Sequence, residues 1–393
     1  MAAFAAAAAN TAAILGVSLA PASPGDAVPR ACIICGFQGT ADLVLNLAFY
    51  LPLGAALALA LRRPWHAVAA ALLLSAGVEA AQLLVPGRDP TLGDLLANTL
   101  GAAAGAALAR GGRRWMDPPP RAAAWLSLGA AAAALAVVAV TGAAATPSLP
   151  RAALRVEWAA RTETLARYHG RVLAASLGSV PLLPSAVGDR EIEPAPALDA
   201  PAVRRAFVAG GELYVRAVAG PAPASLAPLL GVYDGDRQSE VLLVGVEGED
   251  LVLRVRTRAV PMRLRQPQIR VRGALRGMLP GDTVAMRARV VRGGFAVSVN
   301  DGKPVRAGMS PGGGWSLLLG PVRTGAAATA AAGAIWMAVL LLPLGLWVRS
   351  TAAGAAALAL AAVGLAAVPA AAGLLPLTGW EAAGAAAGLA VGA

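Results

Sequence analysis

The sequence predicts an α-helical integral membrane bundle of about eight transmembrane helices that carries an all-β sandwich domain. Three observations lead there. Of 393 residues, 57% are apolar and 14% charged, with a mean hydropathy of +0.63; soluble domains carry about a quarter charged residues. Apolar runs long enough to cross about 30 Å of hydrocarbon recur at both ends of the chain. Between them the pattern changes to short alternating runs punctuated by turn residues.

The runs cover residues 2–20, 42–61, 66–85, 95–109 and 122–141, then 325–348, 351–368 and 374–391, the last ones interrupted by Pro369 and Pro376. The first lacks a leading basic residue, so it reads as a retained helix rather than a cleaved signal. One set of short loops holds Arg62, Arg63, Arg110, Arg113, Arg114, Arg121 and Arg349, whereas the opposite set holds Arg30 and Arg88, with Arg323 at its edge. Basic loops stay cytoplasmic, which puts both termini inside and the central segment outside. The expected organisation is a helical domain at 1–145, an extracytoplasmic sandwich at 146–322 and C-terminal helices at 323–393.

In the central segment, residues 241–246 and 251–257 read as strands joined across Glu247-Gly248-Glu249-Asp250. Residues 284–291 alternate, and Phe295–Val299 runs into Asn300-Asp301-Gly302, a hairpin turn because these residues tolerate positive φ. No amphipathic helix stands out, and the Pro-rich stretch 181–201 reads as a surface connection. Arg254, Arg256 and Arg258 alternate, with Arg263, Arg265, Arg270 and Arg272 behind them, which predicts a basic face for an anionic envelope polymer or a lipid head group. A solvated face produced by Arg-rich coding is the alternative.

The formal charge of +11 comes with no basic recognition helix, zinc-finger spacing or aromatic RNA-binding signature, which excludes a nucleic-acid partner. Lys303 is the only lysine, as GC-rich coding produces. Cys32 and Cys35 make C-x-x-C with no following His, so two readings stand: a local disulfide in an extracytoplasmic loop, or two inert thiols. His66 sits beside Arg62 and Arg63, and His169 stands alone; with no G-x-S-x-G or Walker-type loop, hydrolase and nucleotidase readings lack support. Glu381 reads as a lone carboxylate in the last span.

Polar residues within membrane spans are costly and need an explanation. Asp42 and Asn46 are spaced i,i+4, Glu79 and Gln82 i,i+3, Asp94 and Asn98 i,i+4, so each pair shares a helix face. With alternating span direction, all six fall in one layer of the outer half of the membrane, near Arg88. Gly101 and Gly105 continue the Asp94–Asn98 line as a small-xxx-small seam. Two readings follow. One is a structural clasp in which Arg88 neutralises carboxylates and the amides bridge helices. The other is a pocket in which Asp42, Glu79 and Asp94 accept a cation, a proton or a polar head group and Arg88 holds a phosphate or carboxylate; Mg²⁺ would suit three carboxylates.

These stretches, Asp42-Leu43-Val44-Leu45-Asn46 through Pro52-Leu53-Gly54, then Ser75-Ala76-Gly77-Val78-Glu79-Ala80-Ala81-Gln82, then Gly87-Arg88 and Asp94 to Gly101, resemble the VanZ-like family over roughly residues 10–145. The resemblance implies a bacterial membrane protein associated with teicoplanin-type glycopeptide resistance. It carries over Asn46, Glu79, Gln82, Arg88, Asp94 and Asn98 as the family's polar positions; Thr91 departs, since the family often has an acid there. The region from Val232-Tyr233-Asp234-Gly235-Asp236-Arg237 to Asn300-Asp301-Gly302 resembles concanavalin-like, laminin-G-type sandwiches. That implies glycan binding, with Asp234, Asp236 and Asp301 as Ca²⁺ ligands or, alternatively, as turn-forming acids. Two functions remain. One is a non-catalytic envelope protein that recognises a cell-surface glycan, lipid or glycopeptide. The other is a membrane enzyme acting on a lipid-linked envelope precursor through the carboxylate layer.

Overall fold

The structure, a computed structural model, describes residues 1–21, 29–61, 63–162, 164–235, 239–320, 325–349 and 351–392, with the side chain of Arg113 excepted. Arg62, Asp236, Arg237 and Arg323 lie outside the described residues.

The helices are α1 (Ala2–Ser18), α2 (Gly39–Ala60), α3 (Pro64–Gln82), α4 (Leu92–Arg110), α5 (Gly112–Met116), α6 (Pro120–Ala145), α7 (Ala200–Val208), α8 (Ser316–Leu319), α9 (Ala326–Trp347), α10 (Ala352–Ala371) and α11 (Gly379–Gly392). Among the described residues six of them, α2, α3, α4, α6, α9 and α10, are long and apolar enough to cross a membrane. The first and last expected spans are helical too, but α1 has 17 residues and α11 has 14. Pro369 does not interrupt α10, which runs on to Ala371 with Pro369 buried. A proline that close to a helix end removes only one late backbone bond. Large apolar side chains such as Leu73, Leu100, Trp125, Ile335 and Val363 point outward, as lipid-facing residues do.

The helices pack in two groups. In the first, α2 and α4 cross in backbone contact, with α1 and α3 alongside. A Cβ added at Gly54 would collide with the backbone of Ala102, and one at Gly101 or Gly105 with the carbonyl oxygens of Leu47 or Leu51. Only glycine allows that approach. In the second group α6 packs on α9 and α10, and α9 on α11. There the same device recurs, with Gly384 and Gly388 set against the carbonyls of Ala334 and Ala338.

The strands are β1 (Leu154–Trp158), β2 (Arg171–Leu177), β3 (Val180–Pro181), β4 (Ala186–Val187), β5 (Arg190–Glu191), β6 (Glu212–Val218), β7 (Ala227–Asp234), β8 (Glu240–Glu247), β9 (Asp250–Val255), β10 (Gln268–Val271), β11 (Thr283–Val291), β12 (Gly294–Val299) and β13 (Val305–Ala307). They form two sheets, ordered β10-β9-β8-β7-β1-β4-β5 and β13-β12-β11-β6-β2-β3. All pairings are antiparallel except β1 with β4. One core lies between the sheets, with Val156, Leu230 and Leu253 from the first facing Val215, Met286 and Phe295 from the second. This is the sandwich-like architecture that alternation predicts. The expected turns are present: Gly248, at φ +59°, lies between β8 and β9, and Asn300, at φ +52°, follows β12.

The Pro-rich stretch is not just a surface connection. It supplies β4 and β5 to the edge of one sheet and leads into α7. Two-residue strands are too short to show a period. The start of α7 was legible, because the Asp199 side chain accepts from Ala202 N (2.9 Å) and Pro201 opens the helix.

Candidate functional site

The loop between α1 and α2, the loop between α3 and α4, and the sandwich all meet at one end of the first helical group. The carbonyl of Arg30 accepts from Leu92 N and that of Cys32 from Gly93 N (2.8 and 3.0 Å), so this loop caps α4, and Cys32 and Cys35 are joined in a disulfide within it. From the sandwich side, Arg263 adopts a left-handed backbone (φ +54°) that aims its carbonyl at Thr40 N and Ala41 N (3.2 and 3.3 Å), the open N-terminus of α2. Its guanidinium donates to the Ile34 carbonyl. Arg265 Nη2 donates to Asp42 Oδ1 at 2.9 Å and Nε to the Leu318 carbonyl at 2.6 Å. The opposite end carries the basic loops, with Arg110 donating to the Leu61 carbonyl (2.7 Å) and Arg349 paired with Asp117 (3.2 Å).

Within α2, α3 and α4 several of the expected polar residues are brought together, although the wiring differs from a clasp centred on Arg88. Asn46 Nδ2 donates to Asp94 Oδ1, tying α2 to α4. Thr91 is the N-cap of α4: its hydroxyl donates to Asp94 Oδ2 (2.7 Å) and accepts from Asp94 N (3.2 Å). A threonine where the family often has an acid therefore serves Asp94 rather than competing with it. Asn98 Nδ2 donates to Ser75 Oγ (2.9 Å), joining α4 to α3. Gln82 Nε2 donates to the Ser18 carbonyl (2.9 Å).

Arg88 does not pair with Asp94 or Glu79. Its guanidinium donates to the carbonyls of Val17 (2.8 Å) and Ala20 (2.9 Å), at the C-terminal end of α1. A helix C-terminus presents unpaired carbonyls and partial negative charge, so it competes well for a nearby cation. Asp42 takes its cation from Arg265 instead, a partner 223 residues away that spacing could not reveal.

Three polar atoms in this core are buried without a hydrogen-bond partner: Tyr50 Oη, Glu79 Oε2 and Asn98 Oδ1. Tyr50 is 1% exposed, Asn98 4% and Ser75 fully buried. Sequence reasoning passed over Tyr50 and Ser75, although both stand inside the stretches that carry the resemblance. The arrangement contains acceptors, a hydroxyl that can donate or accept, and no guanidinium. Among the described residues no three His, Cys, Asp or Glu side chains gather into a group that could hold a metal.

The sandwich residues are dispersed. Asp234 Oδ1 accepts from Ser239 N (3.1 Å), a turn cap at the end of β7, whereas Asp301 is exposed beyond β12 in the other sheet; Asp236 lies outside the described residues. The Arg row does not continue as one strand, because β9 ends at Val255, leaving Arg256 just beyond it and Arg258 in the following turn. Arg254 donates to Gln268 Oε1 (3.1 and 3.2 Å) and pairs with Glu240 (3.6 Å), while Arg270 pairs with Glu247 and with Asp250 (3.0 Å). Burial raises the Glu240 carboxyl above the usual carboxylate range, against the lowering influence of Arg254. Much of the expected basic face is therefore spent on internal pairs rather than offered to an anionic polymer.

No curated protein and no solved structure is significantly similar to the chain. The sequence model of the VanZ/LLP1 family matches residues 11–114, which takes in α2, α3, α4 and every polar residue from Asp42 to Asn98.

Proposed function

We propose that the chain is a non-catalytic, multi-pass protein of the bacterial cell envelope that recognises a glycan or glycopeptide through the polar core of its VanZ-like helices. In this reading α1 and α11 cross the bilayer with the six longer helices, both termini are cytoplasmic, and the sandwich at 146–322 stands outside between helical regions 1–145 and 323–393. The Cys32–Cys35 disulfide supports the outer placement of that end, since such bonds persist in oxidising compartments.

The observation that carries the proposal is the set of unpaired buried atoms, Tyr50 Oη, Glu79 Oε2 and Asn98 Oδ1. A buried polar atom without a partner costs about 1–3 kcal/mol, so three together describe a core that waits for hydrogen-bond donors. Hydroxyl or ammonium groups of a glycan or glycopeptide supply them. With Arg88 held by α1, the core has no fixed cation for a phosphate or carboxylate. His66 lies in the first turn of α3 and Glu79 near its far end, about 20 Å away by helical rise, so the His66 imidazole does not reach this carboxylate.

The test is susceptibility to a teicoplanin-type glycopeptide in cells that produce the full chain. Tyr50→Phe and Glu79→Gln should reach the membrane at normal levels and abolish protection. Full protection by both variants would defeat the proposal, and a cytoplasmic signal from a reporter fused after Gly220 would remove its topology.

A further inference from the structure

A second polar cavity lies outside the VanZ-like helices, where the edge strand β10 of the sandwich meets the second helical group. Its volume is about 210 Å³. Gln268 and Arg272 line one side, Ser310 and Trp315 the connecting strap, and Thr329 and Glu381 the helices. We propose that this cavity binds a zwitterionic phospholipid head group of the phosphoethanolamine type.

Three features argue for that ligand. The first is charge. Arg272 brings a guanidinium, steadied by its bond to Thr329 Oγ1 (3.0 Å), and Glu381 faces the same cavity with a carboxylate. One cationic and one anionic group in a single small cavity match a ligand with both signs; guanidinium suits phosphate, and carboxylate suits a primary ammonium. Arg270, which also lines the cavity, is compensated by Glu247 and Asp250 and adds no excess positive charge for a purely anionic ligand.

The second is preorganisation. Glu381 is 5% exposed and held in place, since Oε2 accepts from Thr378 N (3.0 Å), Thr378 Oγ1 accepts from Glu381 N (3.3 Å) and Oε1 accepts from Ser310 Oγ. This reciprocal cap fixes the carboxylate and leaves it acceptor capacity for an ammonium. The third is depth. Thr329 and Gly333 lie in the first two turns of α9, and Glu381 in the first turn of α11, so the cavity spans the boundary between sandwich and membrane helices. The first turn of α9 is exposed, which gives lipid a lateral approach, and Trp315 supplies the indole common at such interfaces.

The test is native mass spectrometry of the full chain in detergent with phosphatidylethanolamine, phosphatidylcholine or phosphatidylglycerol added. Phosphatidylethanolamine should be retained at least tenfold over the other two, since choline has no N–H to donate and the glycerol head group has no cation. Glu381→Gln keeps the cap geometry, because Gln also serves in that box, and should abolish the preference for ethanolamine over glycerol. Arg272→Gln should lower retention of phosphatidylethanolamine at least tenfold, and soluble O-phosphoethanolamine should compete with the lipid. Equal retention of the three lipids, a preference unchanged in Glu381→Gln, or lipid retention that O-phosphoethanolamine leaves untouched would each overturn the assignment. The VanZ-like core takes no part in this binding, so Glu79→Gln should retain the lipid like the unaltered chain.

Discussion

Glu79 and Glu381 are both half- or fully buried carboxylates among apolar helices, yet they are treated in opposite ways. Glu381 has both oxygens engaged, by Ser310 and by the backbone N–H that it caps. Glu79 keeps one oxygen buried and unpaired beside two other polar atoms in the same condition. A carboxylate engaged by its own helix and strap is held in place before any ligand arrives, whereas one with an oxygen left short of donors gains the missing hydrogen bond only when something binds. The difference separates a preorganised acid from an unsatisfied one without reference to sequence position.

The sharpest way to break this comparison is to remove each carboxylate. Glu381→Ala loses a helix cap, worth about 1 kcal/mol, and strands the Ser310 hydroxyl at about 1–3 kcal/mol. Thermal unfolding in detergent should show that loss, and Glu79→Ala should lose less than half as much while protection disappears. Equal losses would dissolve the distinction.

Asp42 sharpens the comparison from within the VanZ-like helices, as a carboxylate satisfied from outside the bundle. Both members of the Arg265–Asp42 pair are partly exposed, so Arg265→Ala should cost no more than about 1 kcal/mol. Its expected effect is local: hydrogen exchange at the first turn of α2 should accelerate, with exchange in the sandwich core unchanged. Unaltered exchange at residues 39–44 would mean that the pair contributes nothing to the tie.

Glu240 gives the smallest effect and a test outside the bilayer. Burial raises its carboxyl in the folded state, so folding favours the neutral acid. That contribution is fully present below the unfolded value, about 4.3, and is lost as pH rises through the raised folded value. Glu240→Gln should therefore flatten sandwich stability across that acidic window, read as exchange protection of β8 and β9. An unchanged pH profile would show that the Arg254 pair already compensates for burial.

Much of this was legible in the sequence because it is periodic. The apolar runs, the strands β8 and β9, the turn at Asn300 and the approach of Asn46 to Asp94 all follow from local spacing. The cap on Glu381 was legible as well, since Thr378-Gly379-Trp380-Glu381 is a capping-box pattern that an apolar reading of the span conceals. What spacing could not supply were choices between partners. Arg88 took helix carbonyls over carboxylates, Arg265 crossed from the sandwich to Asp42, and the arginines near β9 and β10 found acids on neighbouring strands. Each outcome depends on which element lies closest in three dimensions.

The Arg263 carbonyl that caps α2 gives the bundle a lever. Because α2 and α4 touch backbone to backbone through Gly54, Gly101 and Gly105, a push on that loop moves them as one body, while α3 has no such lock on α2. Tyr50 and Asn98 ride on the moving pair, and Ser75 and Glu79 stay on α3. The unpaired atoms thus lie on both sides of the seam between that pair and α3, a seam that the Asn98–Ser75 hydrogen bond crosses.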